Sequence, residues 1–397
     1  MSEKQPSPND KNATQEAKYS AKNIEKLDPR EHIRRRPGMY FGGTDKRALH
    51  HLIDEVLDNS IESVFAGKCD TITVRLQTDN FVVISDNSGF IPERLAEEDY
   101  RDKLDMYVLD IMLTQIGIGP RYKYVENGYI VSGGLHGLDI IAVNAVSALF
   151  DVTVYHKNTV WKRSYQKGKP HGEYQKYETN DEPFTGVTIT FQPDFTIFDA
   201  NDFDYDFIAS RCQEIAYVLP NLTITLIDER TPQSNQAVFH YPDSIQNMVR
   251  DLNQAKQHLH DIAYKREVVT YKYRADRPYD TIVEIAVQFT ESDETILRGY
   301  TNTVLATDGG THIEGFRHAL MGYINAGHEK SVEWDEIARG LTAVISVSHC
   351  DPQYESMKQL KLLNPDIFDA VLQTTYALLV KSNLRHTIRK HIQEQGN

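Results

Sequence analysis

The run Val131-Ser132-Gly133-Gly134-Leu135-His136-Gly137 leads into an apolar segment, Leu138 to Val146, whose pattern predicts a helix. Glycines let the backbone bend and approach a ligand, and the first turn of a helix leaves N–H groups free for an anion. The run matches neither GxxxxGKS/T nor GxGxxG, so neither a P-loop nor a dinucleotide-binding doubly wound sheet is supported. A structural turn has the same composition, and an isolated His136 is more often packed than a ligand. The meaning of the run therefore rests on the segments around it.

From Arg47 to Ala66 the residues Leu49, Leu52, Ile53, Val56, Ile61, Val64 and Phe65 recur at helical spacing, and Gly67 follows as a stop. Glu55 and Asn59 are four apart, so they share one face of this helix beside the apolar stripe. A carboxylate can polarise an attacking water. An amide oxygen one turn away can ligate Mg2+ that already carries phosphate oxygens. The plainer alternative is an acidic solvent face shared with Asp54, Asp58 and Glu62. Strands are expected at Thr71 to Leu76 and Phe81 to Ser85, joined across Thr78-Asp79-Asn80. Asp86 ends the second strand, where a carboxylate can accept the exocyclic amine of adenine or simply form an Asx turn.

At 397 residues the chain is long enough for two or three domains, with a hydrophobic share of 40% and a charged share of 25%. Residues 1–18 are polar and read as a disordered tail. A helix is expected over Leu104 to Gln115, then a Gly-, Lys- and Tyr-rich loop from Ile116 to Tyr129. Strand patterns follow at Asp151 to Tyr155, Val160 to Gln166, Val187 to Phe191 and Leu222 to Leu226, with a helix near Phe203 to Leu219. The hydrophilic stretch Asp228 to Asn235 suggests a boundary between domains at 19–235 and 236–397. Beyond it, strands are expected at Thr281 to Phe289, Leu297 to Val304 and Leu341 to Val347. Helices are expected at Gly315 to Asn325 and, as one long C-terminal element, Pro365 to Gln393. The class is α+β, a sheet covered by helices followed by a second, smaller unit.

No apolar run approaches the roughly 20 residues that span a bilayer, and no signal-peptide core is seen, so a cytoplasmic protein without membrane contact is expected. Cys69, Cys212 and Cys350 are far apart and form no metal spacing. The net charge of -14 excludes a surface that is basic overall. Two local basic stripes remain: Arg34-Arg35-Arg36, and Lys381, Arg385, Arg389 and Lys390. Each suits either nucleic acid or plain solvation.

Taken together, the segments resemble the GHKL ATPases, and within them the gyrase B-type subunits of bacterial type IIA DNA topoisomerases. Arg34-Arg35-Arg36-Pro37-Gly38-Met39-Tyr40 is similar to that family's RKRPGMY. Leu49-His50-His51 through Glu55, Asn59 and Ala66-Gly67 is similar to LHHxxxEVxDNxxDEaxAG. Ser132 to Gly137 with Val143-Asn144-Ala145 resembles SGGLHG…VNAL, and Asp308-Gly309-Gly310-Thr311-His312 with Gly315-Phe316-Arg317 resembles DGGTHxxGFR. The resemblance covers about Tyr19 to at least Leu362.

It implies a Bergerat-type α/β sandwich followed by a transducer resembling ribosomal protein S5, with ATP and Mg2+ as ligands. Glu55 is implied as general base, Asn59 as Mg2+ ligand, and Asp86 with Ile91 and Thr188 on the adenine side. The backbone of Gly133, Gly134, Leu135, His136, Gly137 and Leu138 is implied to cap the phosphates. Tyr19 matches an arm residue that reaches the partner's nucleotide, and Lys358 is nearest to a transducer lysine that meets the γ-phosphate. The implied assembly is a homodimer closed by ATP around DNA. Cleavage is left to separate TOPRIM or gyrase A-like subunits, since no TOPRIM-like acidic cluster is found.

Several positions depart from the family pattern. DxGRGIP becomes Asp86-Asn87-Ser88-Gly89-Phe90-Ile91-Pro92, and the acidic partner of the missing Arg is replaced by Ser63. Val187 stands for a Thr, with Thr188 adjacent. The lid continues Gly137-Leu138-Asp139 instead of GVG, GGKF becomes Gly117-Ile118-Gly119-Pro120-Arg121-Tyr122, and QTK becomes Met357-Lys358-Gln359. A displaced γ-phosphate cation predicts slow hydrolysis. Two functions follow: the ATP-hydrolysing gate of a type II topoisomerase, or a weakened paralogue serving as an ATP-dependent dimerisation or regulatory module.

Overall fold

Alternating burial builds the first sheet. In β1 (Thr71–Leu76) the residues Ile72, Val74 and Leu76 are buried, and in β2 (Val82–Asp86) so are Val82, Ile84 and Asp86. The structure, a computed structural model, describes residues 28–88, 107–115, 139–179, 184–273, 277–327, 331–356 and 359–395. Helices α1 (Pro29–Arg35), α2 (Gly38–Phe41), α3 (Lys46–Phe65), α4 (Val108–Thr114), α5 (Asp139–Val146) and α6 (Tyr205–Val218) belong to this first unit. Its strands continue with β3 (Ser147–Lys157), β4 (Thr159–Gln166), β5 (Lys169–Glu178), β6 (Phe184–Pro193), β7 (Thr223–Asp228) and β8 (Asn235–Phe239). The eight-stranded sheet runs β5-β4-β3-β6-β2-β1-β7-β8, with β1 parallel to β7 and the other pairs antiparallel.

Long α3 is packed by its apolar stripe: Leu49, Leu52, Ile53, Val56, Leu57 and Ile61 join the core beneath the sheet. Asp45 caps it, its carboxylate accepting from Ala48 N at 2.9 Å, which sets the start one residue before the predicted one. The polar stretch 228–235 is the turn of the β7–β8 hairpin, so the first sheet extends through Phe239. Strand β5 escapes the sequence pattern because it is an edge strand exposed along nearly all its length.

The second unit has a five-stranded sheet in the order β12-β11-β13-β10-β9. Its strands are β9 (Ala263–Tyr273), β10 (Arg277–Phe289), β11 (Ile296–Thr301), β12 (Val304–Leu305) and β13 (Leu341–Ser348). Its helices are α7 (Ile245–Leu252), α8 (Thr311–Asn325), α9 (Trp334–Ile337), α10 (Pro365–Ser382) and α11 (Arg385–Gln395). The expected single C-terminal helix is two: Asn383 sits in the left-handed region at φ 50° and breaks it.

Strand β13 is buried on both faces. Ala343, Ile345 and Val347 pack with α8 and α10, whereas Val344 faces Ala286, Tyr300 and the residues Tyr217, Val218, Ile245 and Met248. That second cluster is the junction between the units, and α6 lies in it.

Candidate nucleotide site

The site starts from one seam, where α3 meets the end of β2. Ser60 Oγ donates to Asp86 Oδ2 at 2.6 Å, with both residues buried. Ser88 N donates to Asp86 Oδ1 at 2.8 Å, and Val187 N donates to the same oxygen at 3.3 Å. Asp86 is thus an Asx-turn residue and also a strand-end carboxylate. A carboxylate accepts about four hydrogen bonds, so three donors leave capacity for one more, such as an exocyclic amine. Asn87 pins the turn from outside, its Oδ1 accepting from Asp70 N at 3.0 Å and its Nδ2 donating to Asp70 Oδ1 at 2.7 Å.

Gly186 makes the close approach of β6 possible. A Cβ there would lie 2.1 Å from the Asp86 carbonyl oxygen. The register pairs Asp86 with Val187 and Ser85 with Thr188. Neighbouring residues of a strand point to opposite faces, so Thr188 is turned away from Asp86. Its hydroxyl instead meets Ser85 Oγ at 3.0 Å. The contribution of β6 on the Asp86 side is the Val187 backbone N–H rather than the Thr188 side chain.

Glu55 and Asn59 stand on the same face of α3 as predicted, Glu55 half-buried and Asn59 exposed. Asn59 Nδ2 donates to the Glu55 carbonyl at 2.9 Å, which turns Oδ1 outward as the atom able to meet a cation. No group of three or more His, Cys, Asp or Glu suited to a metal occurs among the described residues. One amide oxygen on an exposed helix face suits a cation that also binds phosphate and water oxygens.

The segment 116–138 lies between α4 and α5, and these helices hold one another. Asn144 Nδ2 donates to the Leu113 carbonyl at 2.9 Å, which gives the Val143-Asn144-Ala145 motif a structural task. Helix α4 is fastened to the sheet through Asp110. Arg163 grips its carboxylate at 2.7 and 3.0 Å, and Tyr165 donates to it at 2.8 Å. Arg34 bonds the Ala145 carbonyl at 2.9 Å and Asp194 at 2.6 Å. Burial would raise the Asp194 carboxyl, but the bond from Arg34 holds it below its ordinary range. The Arg34 end of the first basic stripe is therefore internal mortar. The second is partly so: Arg389 donates to the Ile324 carbonyl at 2.7 Å, and Arg385 lies 4.5 Å over the Tyr323 ring.

Tyr19, Ile91, Gly133, Gly134, Leu135, His136, Gly137, Leu138 and Lys358 lie outside the described residues. The frame around Lys358 is described. Leu360 and Leu362 are clasped by the Asp308–Thr311 backbone: Asp308 N to Leu360 O at 2.9 Å, Thr311 N to Leu362 O at 3.0 Å. Gly310 has φ 127°, and a Cβ there would sit 2.3 Å from Leu362 O, so only glycine fits this clasp. Sequence reading missed Ser60, Asp110 and Arg163. A Ser at an inward-facing position of α3 was a faint signal for the first; the pairing of the others crosses 53 residues and leaves none.

Residues 44–197 match the family model described as histidine kinase-, DNA gyrase B- and HSP90-like ATPase, and residues 244–395 match that described as DNA gyrase B. The chain is 36% identical over 367 residues to the DNA gyrase B protein of Archaeoglobus fulgidus, covering 90% of this chain and 55% of that one. It is 34% identical over 362 residues to the DNA gyrase B protein of Thermotoga maritima, covering 89% and 54%. The chain thus spans about half the length of these curated relatives. Among solved structures, the 43K ATPase domain of Thermus thermophilus gyrase B, crystallised with an aminocoumarin, aligns with a TM-score of 0.73 at 25% identity, covering 93% of this chain and 95% of that one.

Proposed function

We propose that this chain is a gyrase B-type protein that binds ATP and hydrolyses it as the entrance gate of a type II DNA topoisomerase, a reading supported by the family-model matches over 44–197 and 244–395 and by the gyrase B relatives at 34–36% identity. The observation that supports this most is the 2.6 Å Ser60–Asp86 bond, which ties the helix carrying Glu55 and Asn59 to the strand end carrying the acceptor for adenine. In this reading Asp86 takes the adenine amine, and the N–H of Val187 and Ser88 keep its carboxylate aimed. Glu55 accepts the proton of the water that attacks the γ-phosphate. Asn59 Oδ1 would hold Mg2+, which would supply neutralisation of the phosphate charge. Gly133 to Leu138 cap the phosphates, Lys358 approaches the γ-phosphate, and Tyr19 reaches a partner's nucleotide. Dimer closure on ATP, DNA in the closed gate and separate DNA-cleaving subunits belong to the same proposal.

Titration calorimetry with MgATP tests the reading, together with phosphate release by wild type and Glu55→Ala. Micromolar to millimolar affinity and a Glu55-dependent turnover are expected, the loss on substitution being about 10²-fold or more. No heat of MgATP binding would remove the proposal. A second reading, an ATP-dependent dimerisation module with little turnover, is favoured by the order Met357-Lys358-Gln359, which displaces the cation. It predicts binding without a turnover that Glu55→Ala can lower.

A further inference from the structure

Helix α6 carries a charged strut across the junction of the two units. Arg211 Nε meets Asp54 Oδ1 at 3.2 Å, and Asp54 directly precedes Glu55 on α3. From the same guanidinium, Nη1 donates to the Thr303 carbonyl at 3.0 Å, in the turn between β11 and β12. Both side chains of the pair are largely shielded, 18% exposed for Arg211 and 20% for Asp54. A planar fork with five donors can hold a carboxylate and a carbonyl at once; an ammonium on a flexible stem cannot hold both in fixed directions.

The turn that receives the strut is tied by hydrogen bonds to the strand end that leads into the 351–364 segment. Asn302 and Thr303 are both left-handed, at φ 50° and 76°. Asn302 holds His349 through two bonds, accepting from His349 N at 2.8 Å and donating to His349 O at 2.7 Å. The His349 ring accepts from Asp351 N at 3.0 Å on Nδ1 and meets Asp366 at 3.0 Å through Nε2. Asn364 closes the base of the segment, its Nδ2 donating to the Asp351 carbonyl at 3.0 Å and its Oδ1 accepting from Gln353 N at 2.6 Å. A continuous run of bonds therefore joins the residue beside Glu55 to both roots of the 351–364 segment.

We propose that Arg211 is a positioning residue that couples the nucleotide-site helix to this transducer segment, so that turnover depends on a strut touching neither nucleotide nor metal. The proposal rests on the ATPase reading. Its test compares wild type with Arg211→Ala, Arg211→Lys and Asp54→Asn. Three readouts apply to the full chain: MgATP affinity, steady-state phosphate release, and the distance between spin labels at exposed Thr78 and Asp335, with Cys350 replaced by Ser. For Arg211→Ala we expect affinity within about threefold of wild type, turnover lower by about tenfold or more, and a broadened label distance. Asp54→Asn, which still offers an oxygen to Arg211, should fall between, and Arg211→Lys should recover little.

Unchanged turnover with an unchanged distance distribution overturns the strut. So does a fall in affinity that matches the fall in turnover, since that marks a residue needed only for folding of the site. If wild type binds no MgATP, the ATPase reading fails by itself, and the label distances alone decide whether Arg211 holds the units in register.

Discussion

Ser60 donates its hydroxyl hydrogen to Asp86 Oδ2 across 2.6 Å in a buried seam between α3 and β2. Replacing Ser60 by Ala leaves the Asp86 carboxylate one donor short where water enters poorly. The cost expected is about 1–3 kcal/mol of stability, read by urea unfolding. MgATP affinity should weaken by about three- to tenfold, because Asp86 loses its aim but keeps two backbone donors. Ser60→Thr retains the hydroxyl and should recover most of both losses. An affinity unmoved by Ser60→Ala would mean that the seam does not orient Asp86 for a ligand.

Asp110 and Arg163 form a bidentate pair, with side chains only 7% and 9% exposed. Removing Asp110 leaves the buried Arg163 without its counter-ion, with only the Gly172 carbonyl at 2.8 Å still bound, so Asp110→Ala should cost about 3–5 kcal/mol. The double variant Asp110→Leu with Arg163→Met should be less damaging than the single one. Chemical denaturation of the three proteins checks this. Equal losses in the single and double variants would show that the shape of the site, and not charge, carries the contact.

His312 supplies a large share of the pH dependence, beside His50 and His260, whose pKa values burial also lowers. It is fully buried against Gly299, and burial depresses its pKa from 6.5 to about 4. The unfolded chain takes up this proton first as pH falls. The associated stability is therefore complete above about pH 6.5 and is lost between there and about pH 4, by roughly 3 kcal/mol in all. Asp366 acts lower down. Desolvation would raise its carboxyl, but His349 and Tyr279 hold it at about 2, so its share is lost as pH falls from about 4 through 2. Melting temperatures from pH 7 to 4 should flatten in His312→Gln relative to wild type. An identical slope in both proteins would assign the acid sensitivity elsewhere.

Elements with a strong local rhythm were legible in the chain. The α3 stripe, the alternation of β1 and the apolar run of β13 each state their own geometry, because a buried face must repeat with the period of its element. Strand β5 was not legible, since an exposed edge strand is free of that constraint. Nor was the break at Asn383, where apolar periodicity persists on both sides of one left-handed residue. The stretch 228–235 had the composition of a linker, and a hairpin turn demands the same residues.

By itself the sequence determined the chemistry available at the site: which segments carry Glu55, Asn59, Asp86 and the glycine run, and that they resemble one ATPase family. Tertiary structure decided which of those groups meet. Thr188 and Val187 are adjacent in the chain, and only the pairing register assigns one of them to the Asp86 face. Ser60 and Asp86 are 26 residues apart, Arg211 and Asp54 are 157 apart, and no local pattern encodes either contact. The physical reason is that periodicity reports burial along one element, whereas a hydrogen bond or ion pair between elements depends on how their faces are laid together.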